Sequence, residues 1–322
     1  MVPVIGNAAL TGSAASPADA GQQVDVLPRI SVFVSILPQV TFAERIGGDR
    51  ITVHTLVQPG HSPATYEPSP RQMAAMADAA LFFRIGVAFE NALIPKIQVT
   101  MPDLIVVDTR QNIPLRHIES HRHPGDGQTH HSPHRSDDPH DDHVGEAPCL
   151  HGDEPDGNDP HIWLSPRLVK IQARTMADAL IAIDPSGTDG YERNLAALIA
   201  ELDALDAELA LALQPVKGKT FLVFHPAWGY FADAYGLKQE AIEMEGKEPS
   251  ARQMVRLIDQ ARAEGIRIVF VQPQFGRNQA RTVAEAIDGA VVTIDPLAAD
   301  YFANLRGVVE TITGALQEQK KP

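Results

Sequence analysis

The chain has 322 residues, of which 44% are hydrophobic, and it carries a formal net charge of -14 at pH 7. This length favours two domains of ordinary size over a single core. The acidic balance argues against nucleic acid as a partner, because phosphate binding uses clustered Lys and Arg, and it suits a cation better. The single cysteine, Cys149, excludes an intramolecular disulfide and a zinc site with several thiolate ligands.

Residues 1–29 are rich in small side chains, and Ala18-Asp19-Ala20 resembles a cleavage site of the A-x-A type. The segment has neither a basic start nor a sustained apolar core. We interpret it as a flexible leader or the remnant of an export signal, and we expect a periplasmic or cell-surface location. No apolar run is long enough to span a bilayer.

From Ile30 onward, β-rich apolar runs alternate with helix-length segments, which is the pattern of a parallel sheet with crossover helices. Four strands are predicted first: ISVFVSILP from Ile30, ITVHTLV from Ile51, ALFFRIG from Ala80 and LIVVDT from Leu104. A helix is predicted over residues 71–78. We assign residues 30–189 to an N-terminal α/β lobe.

A histidine-rich loop interrupts this lobe at about residues 116–158. Nine of the 13 histidines lie between His117 and His151, interleaved with Asp, Pro and Gly. Imidazoles and carboxylates on a mobile segment bind borderline divalent metals, zinc above all, with low specificity. The loop lacks a hydrophobic period, so we expect it to be mobile without metal. A solvated polar linker is the alternative, and Cys149 is either a soft auxiliary ligand or a bystander.

The next two predicted helices follow this loop. Ser165-Pro166 predicts a capped helix that runs to about Leu180. A longer helix, assigned to residues 190–214, has a row of leucines at a three-and-four spacing, namely Leu195, Leu198, Leu202, Leu205 and Leu209. It is either a stiff element that joins two lobes or an ordinary packed helix.

Residues 215–322 repeat the alternation and are assigned to a C-terminal α/β lobe. The predicted strands are TFLVFH from Thr220, EAIEM from Glu240, IRIVFVQ from Ile266 and AVVTID from Ala290. Helices are predicted over residues 251–264, from Asn278 and at the end of the chain. The predicted fold class is therefore α/β, with two Rossmann-like lobes that contain parallel sheets and are joined by a long rigid helix.

Four polar residues lie in loops or beyond the carboxyl ends of strands, where open α/β sheets bind ligands. They are His61 after ITVHTLV, His161 in DPHIWLSP, His225 at the end of TFLVFH and Asp295 at the end of AVVTID. Three imidazoles and one carboxylate match the tetrahedral N and O coordination of zinc. Each also has an ordinary structural interpretation, such as a turn at Asp295-Pro296. His54, inside a strand, is expected to be a satisfied or surface imidazole.

Six segments together resemble the zinc- and manganese-binding solute-binding proteins of ABC transporters. They are PGHSPATYEPSP from Pro59, DPHIWLSP from Asp159, FHPAWGYFADAYGL from Phe224, EGKEPSA from Glu245, FVQPQF from Phe270 and TIDPLA from Thr293. With the histidine-rich loop, the resemblance extends from Ile30 to about Leu316. It implies an extracytoplasmic protein that binds Zn(II) between two lobes and delivers it to an ABC permease in the membrane. We expect a monomer that is not an enzyme.

The resemblance implies that His161, His225 and Asp295 are metal ligands. The family's first histidine follows proline in a P-H-x-Y pattern, and this chain has Ala64 at that position. His61, a water molecule or Glu67 would complete the coordination instead. Manganese-favouring members have Glu where this chain has His225, so the imidazole favours zinc, as does the histidine-rich loop.

Two other functions fit the same residues. Three histidines and an acid also describe a hydrolytic zinc site with an open position. The sequence has no HExxH-type helix, and Glu245 and Glu248 are the candidate general bases. A zinc buffer or chaperone that acts without a transporter would use the same site and differ only in its partners.

Overall fold

The computed structural model describes residues 29–117, 157–243, 250–275 and 277–318. Most of the predicted leader and of the histidine-rich loop, with Cys149, therefore lies outside the described residues. So do the two candidate bases, Glu245 and Glu248.

The first sheet has the strand order β2-β1-β3-β4, and all neighbouring strands are parallel. Its strands are β1 (Ile30–Val34), β2 (Ile51–Thr55), β3 (Leu81–Arg84) and β4 (Ile105–Asp108). The helices that connect them are α1 (Leu37–Gly47), α2 (Pro70–Ala77) and α3 (Ala88–Thr100). All four strands predicted from this part of the sequence are present. Apolar side chains cover both faces of central strand β1, as expected for a parallel sheet between helices.

Two helices, α4 (Pro166–Ile183) and α5 (Thr188–Leu213), precede the second sheet. This sheet has the order β6-β5-β7-β8 and is also parallel. Its strands are β5 (Thr220–Val223), β6 (Lys238–Ala241), β7 (Ile268–Val271) and β8 (Ala290–Thr293). Its helices are α6 (Gly229–Tyr235), α7 (Ala251–Ala263), α8 (Arg277–Ala286) and α9 (Tyr301–Glu318). Two parallel α/β sheets in one chain confirm the predicted fold class.

Helix α5 packs against helices from both halves of the chain. Its predicted leucine row is buried, and the helix contacts α1, α4 and α9. Ion pairs add to this packing on the solvent side, where Arg167 of α4 contacts Asp206 and Arg306 of α9 contacts Glu208. No helix in the described ranges combines the length and the apolar character that crossing a bilayer requires.

Direct contacts also join the two halves beside the loop after β8. The indole Nε1–H of Trp163 donates a hydrogen bond of 2.7 Å to the carbonyl of Pro296. The Thr41 hydroxyl of α1 donates one of 2.9 Å to the carbonyl of Ala299. These bonds fix the start of a loop that carries Asp295, so the first half of the chain helps to position a candidate ligand in the second.

A charged cluster at the start of α5 makes folding stability depend on pH. Arg50, next to β2, forms hydrogen bonds of 2.7 and 2.9 Å with the Asp184 carboxylate, which lies between α4 and α5. These bonds hold the pKa of Asp184 well below its usual value of about 3.8. On acidification the unfolded chain takes up this proton first, so the stabilisation is present above about pH 4 and is lost as pH falls further.

The Asp184→Asn variant should therefore have a lower Tm than the wild type at pH 7. It should also lose less stability between pH 5 and pH 3, because the titrating group is gone. Thermal unfolding at each pH measures both effects. Asp178→Asn is a matched control, since this carboxylate is 62% exposed and forms an ion pair with Arg174 of the same helix. Equal acid sensitivity of Asp184→Asn and the wild type would contradict the assignment.

Candidate metal centre

His161 is held by a neighbouring carboxylate. It directly precedes the 3₁₀ turn Ile162–Leu164, which leads into α4. Its Nδ1 lies 2.7 Å from Oδ1 of Asp159, and the same oxygen accepts the backbone N–H of His161 at 3.0 Å. Burial lowers the pKa of His161, and Asp159 opposes this shift only in part. The neutral imidazole is therefore favoured, with Nδ1–H donated to Asp159 and the Nε2 lone pair left for another partner.

His225 has a carboxylate partner of the same kind. It follows β5 by two residues, and its Nδ1 lies 2.8 Å from Oε2 of the buried Glu243. The register that pairs Val223 with Ala241 continues past the strand ends, since the backbone N–H of Glu243 donates to the carbonyl of Phe224 at 2.9 Å. Parallel pairing of β5 and β6 thus places Glu243 directly beside His225.

The two imidazoles lie next to each other. Their ring centroids are 5.3 Å apart at an interplanar angle of 71°, and the ring of His225 stacks on Phe275 at 4.9 Å between centroids. In zinc sites, a carboxylate on one ring nitrogen fixes the tautomer and raises the basicity of the nitrogen that binds the metal. Both histidines have this arrangement. The structure therefore brings two of the predicted ligands together in a form suited to a borderline divalent cation.

Asp295 lies at the same edge of the second sheet, two residues beyond β8. Its Oδ1 accepts the Leu297 backbone N–H at 2.9 Å and the Gln274 side-chain amide at 3.0 Å. The Asp-Pro turn considered from the sequence is therefore present. Gln272, in the same loop after β7, donates to the carbonyl of His225 at 2.8 Å. Because β7 lies between β5 and β8, this loop links the surroundings of both candidate ligands.

His61 is exposed in the loop after β2 and does not contact His161 or His225 in the described structure. Its Nδ1 is 3.4 Å from the carbonyl of Pro59, and its ring meets Tyr66 edge-on at 6.0 Å between centroids. With Tyr66 and Glu67 it lines a cavity of about 450 Å³. Among the described residues, no three His, Cys, Asp or Glu side chains lie close enough together to hold one metal ion.

Two residues of this centre were not predicted from the sequence. Asp159 lies in DPHIWLSP, but nothing in that segment shows that its carboxylate binds the ring of His161 two residues later. Glu243 could have been found, because it follows β6 by the same two residues by which His225 follows β5. His54, by contrast, is exposed in β2 and stacks on Phe33, as expected of a surface imidazole.

The chain is similar to known proteins in both sequence and structure. It matches the family described as ZnuA, the periplasmic component A of the zinc-uptake complex, over residues 32–315. The chain belongs to this family. A crystal structure of ZnuA superposes with a TM-score of 0.76 at 38% identity, covering 90% of this chain and 100% of that one. A zinc-bound ZnuA deletion mutant gives a TM-score of 0.74 at 38% identity, with 89% and 98% covered.

A curated relative agrees with the structural neighbours. The high-affinity zinc uptake system protein ZnuA of Yersinia pestis is 28% identical over 277 residues, which is 84% of each chain. The family consists of binding components of uptake systems and not of enzymes, which confirms the expectation that the chain is not an enzyme. The family description also agrees with the expected location outside the cytoplasm.

Proposed function

We propose that the chain captures Zn(II) at His161 and His225 and delivers it to the permease of an ABC transporter. The observation that carries this proposal is the pair of adjacent imidazoles, each with its Nδ1 bound to a carboxylate. Two imidazole nitrogen donors held in this way favour zinc over the harder manganese ion. Membership of a zinc-uptake family supports zinc as the cargo.

Zinc takes four donors in a closed site, so the two imidazoles need further ligands. We propose Asp295 as the third, because its Oδ2 has no hydrogen-bond partner in the described part of the chain, and its carboxylate would have to move towards the two imidazoles to bind the ion. Ala64 removes the family's first histidine, and His61, Glu67 or a water molecule would supply the fourth donor. His61 and Glu67 line the same cavity and are both exposed, so either would have to move towards the pair.

The same proposal assigns residues 30–189 and 215–322 to two lobes and residues 190–214 to the helix between them. His161 belongs to the first lobe and His225 to the second, so the metal would be bound where the lobes meet. The packing of α5 against α1, α4 and α9 supports a stiff connection. Residues 116–158 would collect zinc weakly and pass it to this site.

A variant in which Asn-Gly replaces residues 118–156 tests the proposed site at His161 and His225 separately from the histidine-rich loop. His117 pairs antiparallel with Asn158, and Gly157 has a φ of 55°, so Asn-Gly plus Gly157 would close a three-residue hairpin. This loop-replaced variant should keep one zinc per chain after dialysis and load more slowly than the wild type at low zinc. Loss of the retained zinc would overturn the proposed site, and unchanged loading would remove the acquisition role of the loop.

Delivery is tested with the cognate permease and its ATPase reconstituted in liposomes. The zinc-loaded chain should stimulate ATP hydrolysis and zinc entry, whereas the metal-free chain should not. A zinc buffer or chaperone would bind the same ion and leave both rates unchanged. That result would reject the transport proposal and keep the zinc site.

A further inference from the structure

Arg116 contacts the carboxylate that holds His161. Its Nε lies 3.9 Å from Oδ2 of Asp159, and its Nη1 lies 3.4 Å from Oδ2 of Asp233 on α6. The other oxygen of Asp159, Oδ1, accepts both hydrogen bonds from His161. One carboxylate is therefore shared between the guanidinium and the imidazole. Asp159 is only 2% exposed, so loss of a neighbouring cation would leave a buried charge poorly compensated.

Backbone hydrogen bonds keep Arg116 and Asp159 side by side. The N–H of Asp159 donates to the carbonyl of Arg116 at 2.8 Å. The N–H of Arg116 donates to the Tyr230 hydroxyl at 2.9 Å, and this hydroxyl donates to the carbonyl of Asp159 at 3.0 Å. Burial raises the pKa of Tyr230 to about 12, so the phenol remains a donor at neutral pH. Tyr230 lies on α6, which follows His225, so this frame connects the two imidazole-bearing segments.

Gly229, the first residue of α6, leaves the space that the guanidinium occupies. A Cβ at this position would overlap Nη1 of Arg116 and would come within 2.6 Å of its Cζ and 3.0 Å of Oδ2 of Asp159. The backbone of Gly229 does not have a positive φ, so alanine suits its conformation and only the space is lacking. Gly229→Ala should therefore displace the guanidinium without removing any polar group.

We propose that Arg116 is a positioning residue for the metal centre. By holding Oδ2 of Asp159, it keeps Oδ1 on the Nδ1–H of His161 and leaves Nε2 oriented for zinc. The inference rests on the proposed function, since it concerns the same site. Arg116 does not touch the metal and acts only through Asp159.

The test compares Arg116→Gln, Gly229→Ala and Arg116→Lys with the wild type in the full chain. Zinc affinity is measured by competition with a chromophoric chelator, and geometry by the visible absorption of the Co(II)-loaded protein. Arg116→Gln and Gly229→Ala should each weaken zinc binding about 10–100-fold, the usual cost of losing an outer-shell partner, and should change the Co(II) bands. Arg116→Lys keeps the positive charge, so its zinc affinity and Co(II) bands should lie between those of Arg116→Gln and those of the wild type.

Arg174→Gln is the matched control, because Arg174 forms an exposed ion pair with Glu192 away from Asp159. It should leave the zinc affinity, the Co(II) spectrum and the metal-free Tm unchanged, whereas Arg116→Gln and Gly229→Ala should lower the metal-free Tm because the buried Asp159 carboxylate loses its cation. Wild-type affinity and Co(II) bands in Gly229→Ala and Arg116→Gln would overturn the positioning role. If Arg116→Gln does not fold, Gly229→Ala and Arg116→Lys decide the outcome. A wild type that binds no zinc would instead reject the proposed function.

Discussion

His161→Ala and His225→Ala should each lower zinc affinity by more than about 100-fold. Each removes one of two adjacent nitrogen donors, so the loss should exceed the roughly 10–100-fold cost of losing an outer-shell partner. A 100-fold loss corresponds to about 2.8 kcal/mol of binding free energy. The measurement is chelator competition in the loop-replaced variant, in which residues 118–156 and their histidines are absent.

His54→Ala provides the matched control, since it removes an exposed imidazole from β2 without touching the pair. It should leave affinity unchanged. His61→Ala tests the fourth ligand in the same assay, and a loss as large as that of His225→Ala would assign His61 to the coordination shell. Near wild-type binding by both His161→Ala and His225→Ala would contradict the proposed centre.

Glu243→Gln should weaken zinc binding about 10–100-fold, because it removes the charge behind His225 while keeping the side chain's size. A neutral amide acceptor makes a weaker hydrogen bond to Nδ1–H than a carboxylate does, and it no longer raises the basicity of Nε2. Glu240→Gln, in strand β6 just before Glu243, is the control. Glu240 accepts a hydrogen bond from Gln260, whereas Glu243 binds His225. Glu240→Gln therefore makes the same chemical change at a carboxylate with a different partner.

A double-mutant cycle shows whether Glu243 acts through His225. In the His225→Ala background the ring is absent, so Glu243→Gln should have little further effect on affinity. A full additional loss in that background would mean that Glu243 contacts the metal itself. Isothermal titration of the four proteins, each at the same pH and salt concentration, measures the coupling.

Local pattern in the sequence was sufficient for most of the fold. The alternation of apolar runs predicted all eight strands found in the described residues, and the leucine row predicted the buried face of α5. The strand predicted from Glu240 begins two residues earlier in the structure, at Lys238, and its ladder hydrogen bonds continue to Glu243. The bounds of β6 become clear only from its pairing with β5 in the structure. The charged side chains of this edge strand hide the alternation of apolar and polar residues that would mark it in the sequence.

The site was predictable where ligand chemistry coincides with a strand end or a motif, as for His161 and His225. The role of Arg116 was not predictable, since it depends on contacts between distant segments. Arg116 reaches Tyr230 across 114 positions, and no spacing rule connects them. The substitution at Ala64 identifies a missing donor in the sequence but does not show which group replaces it.

Anomalous diffraction at the zinc edge from zinc-loaded crystals tests the central claim most directly. One zinc ion should lie about 2.0–2.1 Å from Nε2 of both His161 and His225, with Nδ1 of each ring still bound to Asp159 and Glu243. A single strong peak distant from both imidazoles, or coordination through Nδ1 with the carboxylates displaced, would contradict it.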